Sequence, residues 1–470
     1  MYLFLSLVAV KKYVCCVKKR VWMEFTNLIF LFCVLPSFLG ICYFVPGKLQ
    51  DIAVLLLSFF CISWGAPILF FKMLCCSILN YIFSYFICRA RGKFIDVFLF
   101  VFCLIVNLCI FYKLLFSFNS EDLYFFKANI LNFLPVSLFF MNIFSYLADV
   151  FSERVYFQYN IVCYLLYIFM FPKFFLGPIV PYNKFVNRLN HKNKNGRFAH
   201  LGVQLFIFGF CKVSILSHEI GQVVKFFVNK AAFNLPILSS WVGAFAMFLY
   251  IYFYFSGYGD MARGLSFVMG YSLPANFGRN MFCGSLTEFF TKFFNVSVID
   301  YFKFYVLPSV GDSSKLLKFF KYLAISFLYY WFLGGSVFAF SVFMLVFIEN
   351  FILKYWINKV KYSFRRFFYF LVILYLATVF FLENSVLFYK SDVGYKYLAF
   401  MFGKNATFLD MSLIFLVVLF RCFIVVFCFF VGNFYFKWLN KLNIENNIKI
   451  LILKYISLTV LFVFSLTFCF

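Results

Sequence analysis

The sequence predicts an all-α, polytopic integral membrane protein of about eleven or twelve transmembrane helices, with re-entrant or interfacial segments between them. Three observations carry this. The 470 residues are 65% hydrophobic and only 13% charged, against about 45–50% and about 25% in a soluble domain. Uncharged stretches of bilayer-spanning length recur along the chain. Lys and Arg, 42 against 17 Asp and Glu, gather between those stretches, where cytoplasmic loops of membrane proteins collect them. Disorder needs low hydrophobicity and is excluded. Nucleic acid is not expected as a partner, because the excess of +25 lies in loops between apolar runs. The lipid bilayer is the expected surroundings.

From the start of the chain, uncharged runs at 25–47, 52–71, 128–148, 231–259 and 322–348 are long enough to cross a bilayer, which takes roughly 20 apolar residues. Runs at 73–88, 97–112, 156–172, 367–382 and 455–470 are slightly shorter, and one at 412–436 is interrupted only by Arg421. Hydrocarbon offers the backbone no water, so each is expected as helix rather than open strand. No solenoid-like repeat and no inverted pair of broken helices, the pointer to a secondary transporter, is visible. A single membrane domain over 23–470 is expected, with Met23 opening its first helix. Residues 1–22 carry five Lys or Arg and no acid. They are read as a dispensable upstream extension, with a signal-like basic leader as the competing reading. The 16 cysteines contain no C-x-x-C pair, so they read as small hydrophobes, not as zinc ligands or a disulfide framework.

Three loops concentrate positive charge without acids: Arg89, Arg91 and Lys93; six Lys or Arg over 173–197; and five over 354–366. They read as cytoplasmic topology signals, or else as binding sites for an anionic donor or lipid head group. With 89–93 inside, 173–197 is also inside only if one segment between 94 and 172 fails to cross. The expected re-entrant piece is 128–148, which Pro135 interrupts and Asp149 closes.

Residues 255–300 are polar where plain membrane anchors would not be. Asp260, Arg263, Arg279, Glu288 and Lys292 follow a long apolar run, and ionisable groups beside a membrane suggest function. Structural alternatives are a pair between Asp260 and Arg263 and a helix cap in which Ser285 serves Glu288. The stretch 285–305 reads as an interfacial helix with Phe289, Phe290, Phe293 and Phe294 on its apolar side. Gly334-Gly335 suggests a kink within 322–348.

These residues carry a resemblance. Tyr252-Phe253-Tyr254-Phe255-Ser256-Gly257-Tyr258-Gly259-Asp260-Met261-Ala262 resembles the YFDFSGYSDMA of the membrane-bound O-acyltransferase (MBOAT) family. Pro274-Ala275-Asn276-Phe277 is similar to its PENF, and Ser285-Leu286-Thr287-Glu288-Phe289 to its SITEFW. Upstream, Phe171-Pro172-Lys173 with Gly177-Pro178-Ile179-Val180 and Tyr182 resembles FPQ…AGPIVRY. Phe206, Gly209-Phe210 and Lys212 resemble LFLLGLFKK. Leu134-Pro135-Val136-Ser137 with Ser145-Tyr146-Leu147-Ala148-Asp149-Val150 resembles LPIGIS…SYLIDV, and Trp64-Gly65, Pro67 and Asn80-Tyr81 resemble AWGEP…NY. The order is kept from about Met23 to Phe402. The branch it looks most like handles alginate O-acetylation and teichoic acid D-alanylation.

The resemblance implies acyl transfer, acetyl in the first instance, to a hydroxyl of a cell-envelope polysaccharide or similar acceptor. It implies a multi-pass protein of the cell (inner or plasma) membrane. No bound cofactor is implied; the donor, acetyl-CoA or an acyl-carrier thioester, is a substrate, and an extracytoplasmic acyl-acceptor protein is a candidate partner. Ser256, Tyr258, Asp260, Asn276 and Glu288 fall in the supporting core. At the family's first histidine this chain has Asn295. At the second, the presumed base, it has Leu333, or Phe332 if the gap shifts, and neither can move a proton.

His191, His200 and His218 match neither position and read as a solvated, a capping or interfacial, and a helix-terminal residue. Ser256 lacks the G-x-S-x-G frame of a nucleophile elbow. Asp260 or Glu288 could act as base only if burial raised a carboxylate pKa. No phosphate-binding loop, dinucleotide motif or metal-ligand cluster occurs. Little or no transfer by the native chain is therefore expected, and the alternative is a catalytically dead MBOAT-like scaffold or lipid/acyl conduit that holds a partner.

Overall fold

A computed structural model describes residues 23–64, 66–90, 92, 94–116, 126–190, 192, 196–230, 235–278, 283–306, 336–349, 362–383, 393–403, 420 and 448–467. Regular structure among the described residues is helical throughout. The order is α1 (Phe30–Phe44), α2 (Gly47–Ser63), α3 (Pro67–Arg89), α4 (Phe94–Phe116), α5 (Phe126–Phe151), α6 (Ile161–Phe169), α7 (Phe171–Phe174) and α8 (Tyr182–Asn190). Then come α9 (196–230), α10 (Ile237–Val268), α11 (286–293), α12 (Val296–Val306), α13 (Ser336–Ile348), α14 (Tyr362–Glu383), α15 (Val393–Met401) and α16 (Ile448–Thr467). Five helices among the described residues are long and apolar enough to cross a membrane: Pro67–Arg89, Phe94–Phe111, Phe198–Asn229, Ile237–Val268 and Phe364–Leu382. Shorter apolar helices accompany them at Phe30–Phe44, Leu49–Ser63, Pro135–Phe151 and Ile161–Phe174. Residues 1–22, the kink at Gly334-Gly335 and the run at 412–436 apart from Phe420 lie outside the described residues.

Several boundaries differ from the sequence reading. The runs 52–71 and 73–88 divide at 64–66 instead of at Lys72. Pro67 occupies the first turn of α3, where a missing N–H costs nothing, and Lys72 is carried inside that helix. The run 231–259 is displaced: Pro236 precedes α10, and the helix continues to Val268. Asp260 and Arg263 therefore lie within its last turns, not after it. A whole span, Phe198–Asn229, was hidden by Lys212, His218, Glu219 and Lys225.

Pro135 does not interrupt the stretch expected to re-enter: α5 runs unbroken through it, and the buried Asp149 accepts the Asn183 N–H at 2.9 Å, capping α8. An interrupted stretch comes later. α6 has nine residues, about 14 Å of rise, and starts on Asn160, whose side chain accepts from Val162 N and Cys163 N. After α7 the chain is irregular from 175 to 181 yet buried. Non-helical backbone at membrane depth is tolerated only where protein satisfies it. Here Tyr167 donates to the Val180 carbonyl at 2.9 Å, Ile179 N donates to Ser297 Oγ at 3.1 Å, and Tyr182 N donates to Ser145 Oγ at 2.8 Å.

The centre of the molecule is the antiparallel pair α9–α10. Gly202 faces Gly264 and Gly209 faces Gly257, seven residues apart on each helix. A Cβ on Gly202 would stand 2.6 Å from the Gly264 carbonyl, and one on Gly257 would stand 2.7 Å from that of Gly209. Small residues let backbones approach this closely, the usual device where lipid supplies no hydrophobic drive between helices. Nearer the periphery, Asn80 on α3 and Asn107 on α4 exchange hydrogen bonds of 3.0 and 2.7 Å, a fully satisfied polar lock between two spans.

Replacing Gly209 by Val should force α9 and α10 apart and cost about 1–3 kcal/mol, the usual range for overpacking. Ala at Gly40, which has open space around it, should be neutral. Thermal unfolding of both variants in one detergent checks this, and equal midpoints would refute the glycine contact as a packing constraint.

Candidate active site

About 100° of rotation per residue gives α10 three working faces. Tyr250, Tyr254 and Tyr258 share one, with ring centroids 6.0 and 5.0 Å apart in succession. At its end Tyr258 donates to the buried Glu24 carboxylate at 3.1 Å. Gly257 and Gly264 form the face against α9. Tyr252, Ser256, Gly259 and Arg263 form the third, toward the loop 270–278. Tyr252 meets Phe277 there (centroids 5.6 Å apart), and Arg263 Nε donates to the Leu273 carbonyl at 3.0 Å.

Where the second and third faces meet, Lys212 reaches from α9. Its ammonium lies 2.5 Å from Asp260 Oδ2 and 3.0 Å from Ser256 Oγ. Asp260 thus pairs across helices with Lys212 rather than with Arg263, its neighbour along the helix. Lys212 is the first residue of a π-helical turn, Lys212–Ser217; such bulges recur at functional sites. The one-residue offset lets the helix keep its glycine register on one side of Lys212 and a different packing on the other.

Beside this group two strands of chain clasp each other. Val296 N donates to the Asn276 carbonyl at 2.8 Å, and Gly278 N to that of Phe293 at 2.9 Å. Any Cβ on Gly278 would collide with the Lys292 carbonyl, so glycine is obligatory there. Within the clasp Ser297 donates to Asn276 Oδ1. Asn295 has φ 51°, a left-handed conformation that Asn, Asp and His adopt more readily than other side chains.

That turn breaks the expected helix over 285–305 into α11 and α12. Nor is the helix interfacial: Phe289, Phe290, Phe293 and Phe294 are all buried, because α11 inserts into the protein. Its start is a cap of the expected kind. Ser285 Oγ accepts the Glu288 N–H at 3.0 Å, and Glu288 reaches back to Gly284 N at 2.9 Å while pairing with Lys292 at 3.2 Å. Glu288 thus serves α11 locally and lies apart from the Lys212–Asp260 pair in its bonding. Sequence reading passed over Glu349, which follows α13: it accepts Leu286 N at 3.0 Å and the Thr287 hydroxyl at 3.4 Å. Lys212, Ser297 and Glu24 were likewise not singled out as site residues. The signal for Lys212 was a single cation in a run otherwise able to span.

Leu333, Phe332, Arg279 and His191 lie outside the described residues. His200 bonds to Gln204 one turn along α9, and His218 is exposed. No group of three or more His, Cys, Asp or Glu that could hold a metal ion occurs among the described residues.

An all-helical, multi-pass membrane protein with an ion pair, a hydroxyl and an oriented amide at the junction of its central helices defines the class. The model of the membrane-bound O-acyltransferase family matches residues 152–331, and the chain is similar to that family there. It is similar to a probable alginate O-acetylase AlgI of Azotobacter vinelandii, 26% identical over 62% of this chain and 60% of that protein. It is also similar to a peptidoglycan O-acetyltransferase of Helicobacter pylori, 27% identical over 38% of this chain and 34% of that protein. A teichoic acid D-alanyltransferase of Bacillus subtilis is 27% identical over 30% of this chain and 36% of that protein. The match spans about 60% of the length of the alginate O-acetylase, and the homology is distant.

Two outcomes are expected of this arrangement. Lys212→Met or Asp260→Asn alone should destabilise by about 2–4 kcal/mol by leaving one partner of a largely buried pair uncompensated. The double variant should recover most of that loss, and thermal unfolding of the four proteins measures the coupling; additive losses would refute it. The second concerns pH. Burial raises the Glu349 pKa despite its backbone bonds, whereas the Gly284 N–H, ahead of Lys292, lowers that of Glu288. A raised carboxylate stabilises the fold below its ordinary pKa, and the contribution is lost as pH rises through the folded value; a lowered one loses its contribution as pH falls through the folded value. Glu349→Gln should therefore gain stability relative to the wild type as pH climbs above the ordinary Glu range, and Glu288→Gln should lose its disadvantage as pH falls below it. Unfolding midpoints across pH check both signs.

Proposed function

We propose that this protein is an O-acyltransferase of the cell membrane that moves an acyl group, acetyl in the first instance, from acetyl-CoA or an acyl-carrier thioester to a hydroxyl of an envelope polysaccharide. An extracytoplasmic acceptor protein would take part in passing the group on. One observation carries this reading: the stretch matched by the family, 152–331, contains Lys212, Ser256, Asp260, Asn276, Asn295 and Ser297 together. The relatives' printed activities, acetylation of alginate or peptidoglycan and alanylation of teichoic acid, support an envelope polymer as acceptor.

In such a reaction the acceptor oxygen bonds to the acyl carbon, the C–S bond breaks, and the hydroxyl proton ends on the leaving thiolate. A positioned general base is worth about 10²–10⁴-fold. With Leu333 or Phe332 at the family's base position, turnover should be lower by that order, resting on proximity and on donors for the oxyanion.

A second reading, a non-catalytic scaffold or lipid/acyl conduit, is favoured by one specific observation. Neither described histidine joins the polar cluster; His200 is occupied with Gln204, and His218 faces outward. Membranes carrying the protein, incubated with radiolabelled acetyl-CoA, separate the two. Slow incorporation into polymer, raised about 10²-fold or more by Leu333→His or Phe332→His, is the expected result. No incorporation by either the native chain or the His variants would leave the scaffold reading in place.

A further inference from the structure

We infer that the Asn276 side-chain amide is the oxyanion donor of this site, oriented by Ser297; the inference rests on the acyl-transfer reading. The direction of the amide follows from hydrogen-bond polarity. Ile179 N–H can only donate, and it donates to Ser297 Oγ at 3.1 Å. The single hydroxyl proton of Ser297 is then available to its other partner, Asn276 Oδ1. The carbonyl end of the amide is therefore held toward Ser297, and the NH₂ end points the other way. The backbone of Asn276 is fixed as well, through Val296 N at 2.8 Å, so the group is pinned at both ends.

Asn276 Nδ2 has no hydrogen-bond partner among the described residues, although the residue is only 8% exposed. It faces the bare α-carbon of Gly259, where a Cβ would stand 3.6 Å from it. No hydrogen bond within the clasp uses this NH₂ group, so it is available to a bound group. Gly259 adjoins Asp260 and lies three residues after Ser256, so the NH₂ end opens toward the part of α10 that receives the Lys212 ammonium. A fixed donor on this side of the Lys212–Asp260 pair suits negative charge that develops only in the transition state.

The chemistry assigned to it is narrow. As the acceptor oxygen bonds to the thioester carbon, the carbonyl π pair moves onto oxygen, and that oxyanion accepts from Asn276 Nδ2–H. Collapse re-forms the carbonyl, breaks the C–S bond, and the thiolate leaves with the acceptor's proton. Asn276 gives up no proton. Ser297 and the Ile179 amide act through it as positioning groups.

The full-length protein in nanodiscs, given acetyl-CoA and a hydroxyl-bearing oligosaccharide, tests this. Asn276→Asp keeps the acceptor for Ser297 and removes the outward donor. Its kcat should fall about 10²–10³-fold, the usual effect of losing one oxyanion donor, with the KM for acetyl-CoA within about threefold. A packing role would not produce that split. Ser297→Ala should lower kcat about tenfold, and Ser297→Thr should restore it; these two variants decide the matter if Asn276→Asp does not fold. An active wild type whose kcat is unchanged by Asn276→Asp, or by Ser297→Ala where the former does not fold, overturns this inference alone. No transfer by the wild type or by its Leu333→His and Phe332→His variants overturns both it and the acyl-transfer reading.

Discussion

Backbone-to-backbone contact between α9 and α10 is the constraint on which the rest depends. Two glycine pairs, Gly202 with Gly264 and Gly209 with Gly257, leave no room for a methyl group, so neither helix can slide past the other. That register places Lys212, three residues beyond Gly209, opposite Ser256 and Asp260. The π turn beginning at Lys212 then alters the rotation of α9 without altering the glycine contacts before it. A lysine so held can pair across helices with an acid that its own helix could not supply. Van der Waals fit sets the geometry here, and the ion pair follows from it.

What was legible in the sequence was whatever depends on neighbours in sequence. The apolar runs announce helices because length and hydrophobicity decide membrane insertion locally. The Ser285–Glu288 cap is a four-residue pattern with its own geometry, whereas Pro67 and Pro236 begin helices that the runs 52–71 and 231–259 passed through. The span Phe198–Asn229 was not legible, since the partner that neutralises Lys212 is 48 residues away. Glu349 was invisible for the same reason, serving a helix start 63 positions before it. The Phe-rich stretch after Ser285 misled, because alternating burial looks like an amphipathic surface helix unless the break at Asn295 is known.

Asn295 shows how a site position can carry two constraints. Its φ of 51° restricts the residue before any chemistry is considered, and the small set that tolerates this conformation includes both Asn and His. An exchange of Asn and His at this position would therefore be neutral for the backbone.

Buried polar groups in this molecule fall into two sorts, and the difference bears on function. Asn80 and Asn107 each donate to and accept from the other, and such closed pairs act as glue between membrane helices. Lys173 is buried without a hydrogen-bond partner among the described residues. Its ammonium nevertheless lies 3.6 Å from the centroid of the Tyr167 ring and 5.1 Å from that of Phe185, and aromatic faces stabilise a desolvated cation. Both arrangements are complete in themselves. The cluster on α10 is not. A largely buried Lys–Asp pair is seldom better for stability than apolar packing of the same volume, and Asn276 beside it keeps an unused donor held in one direction. Stability alone accounts for neither. A group of polar residues that is rigidly oriented and keeps a donor available has the character of a site that acts on something else, and this cluster lies inside the stretch that the family model matches.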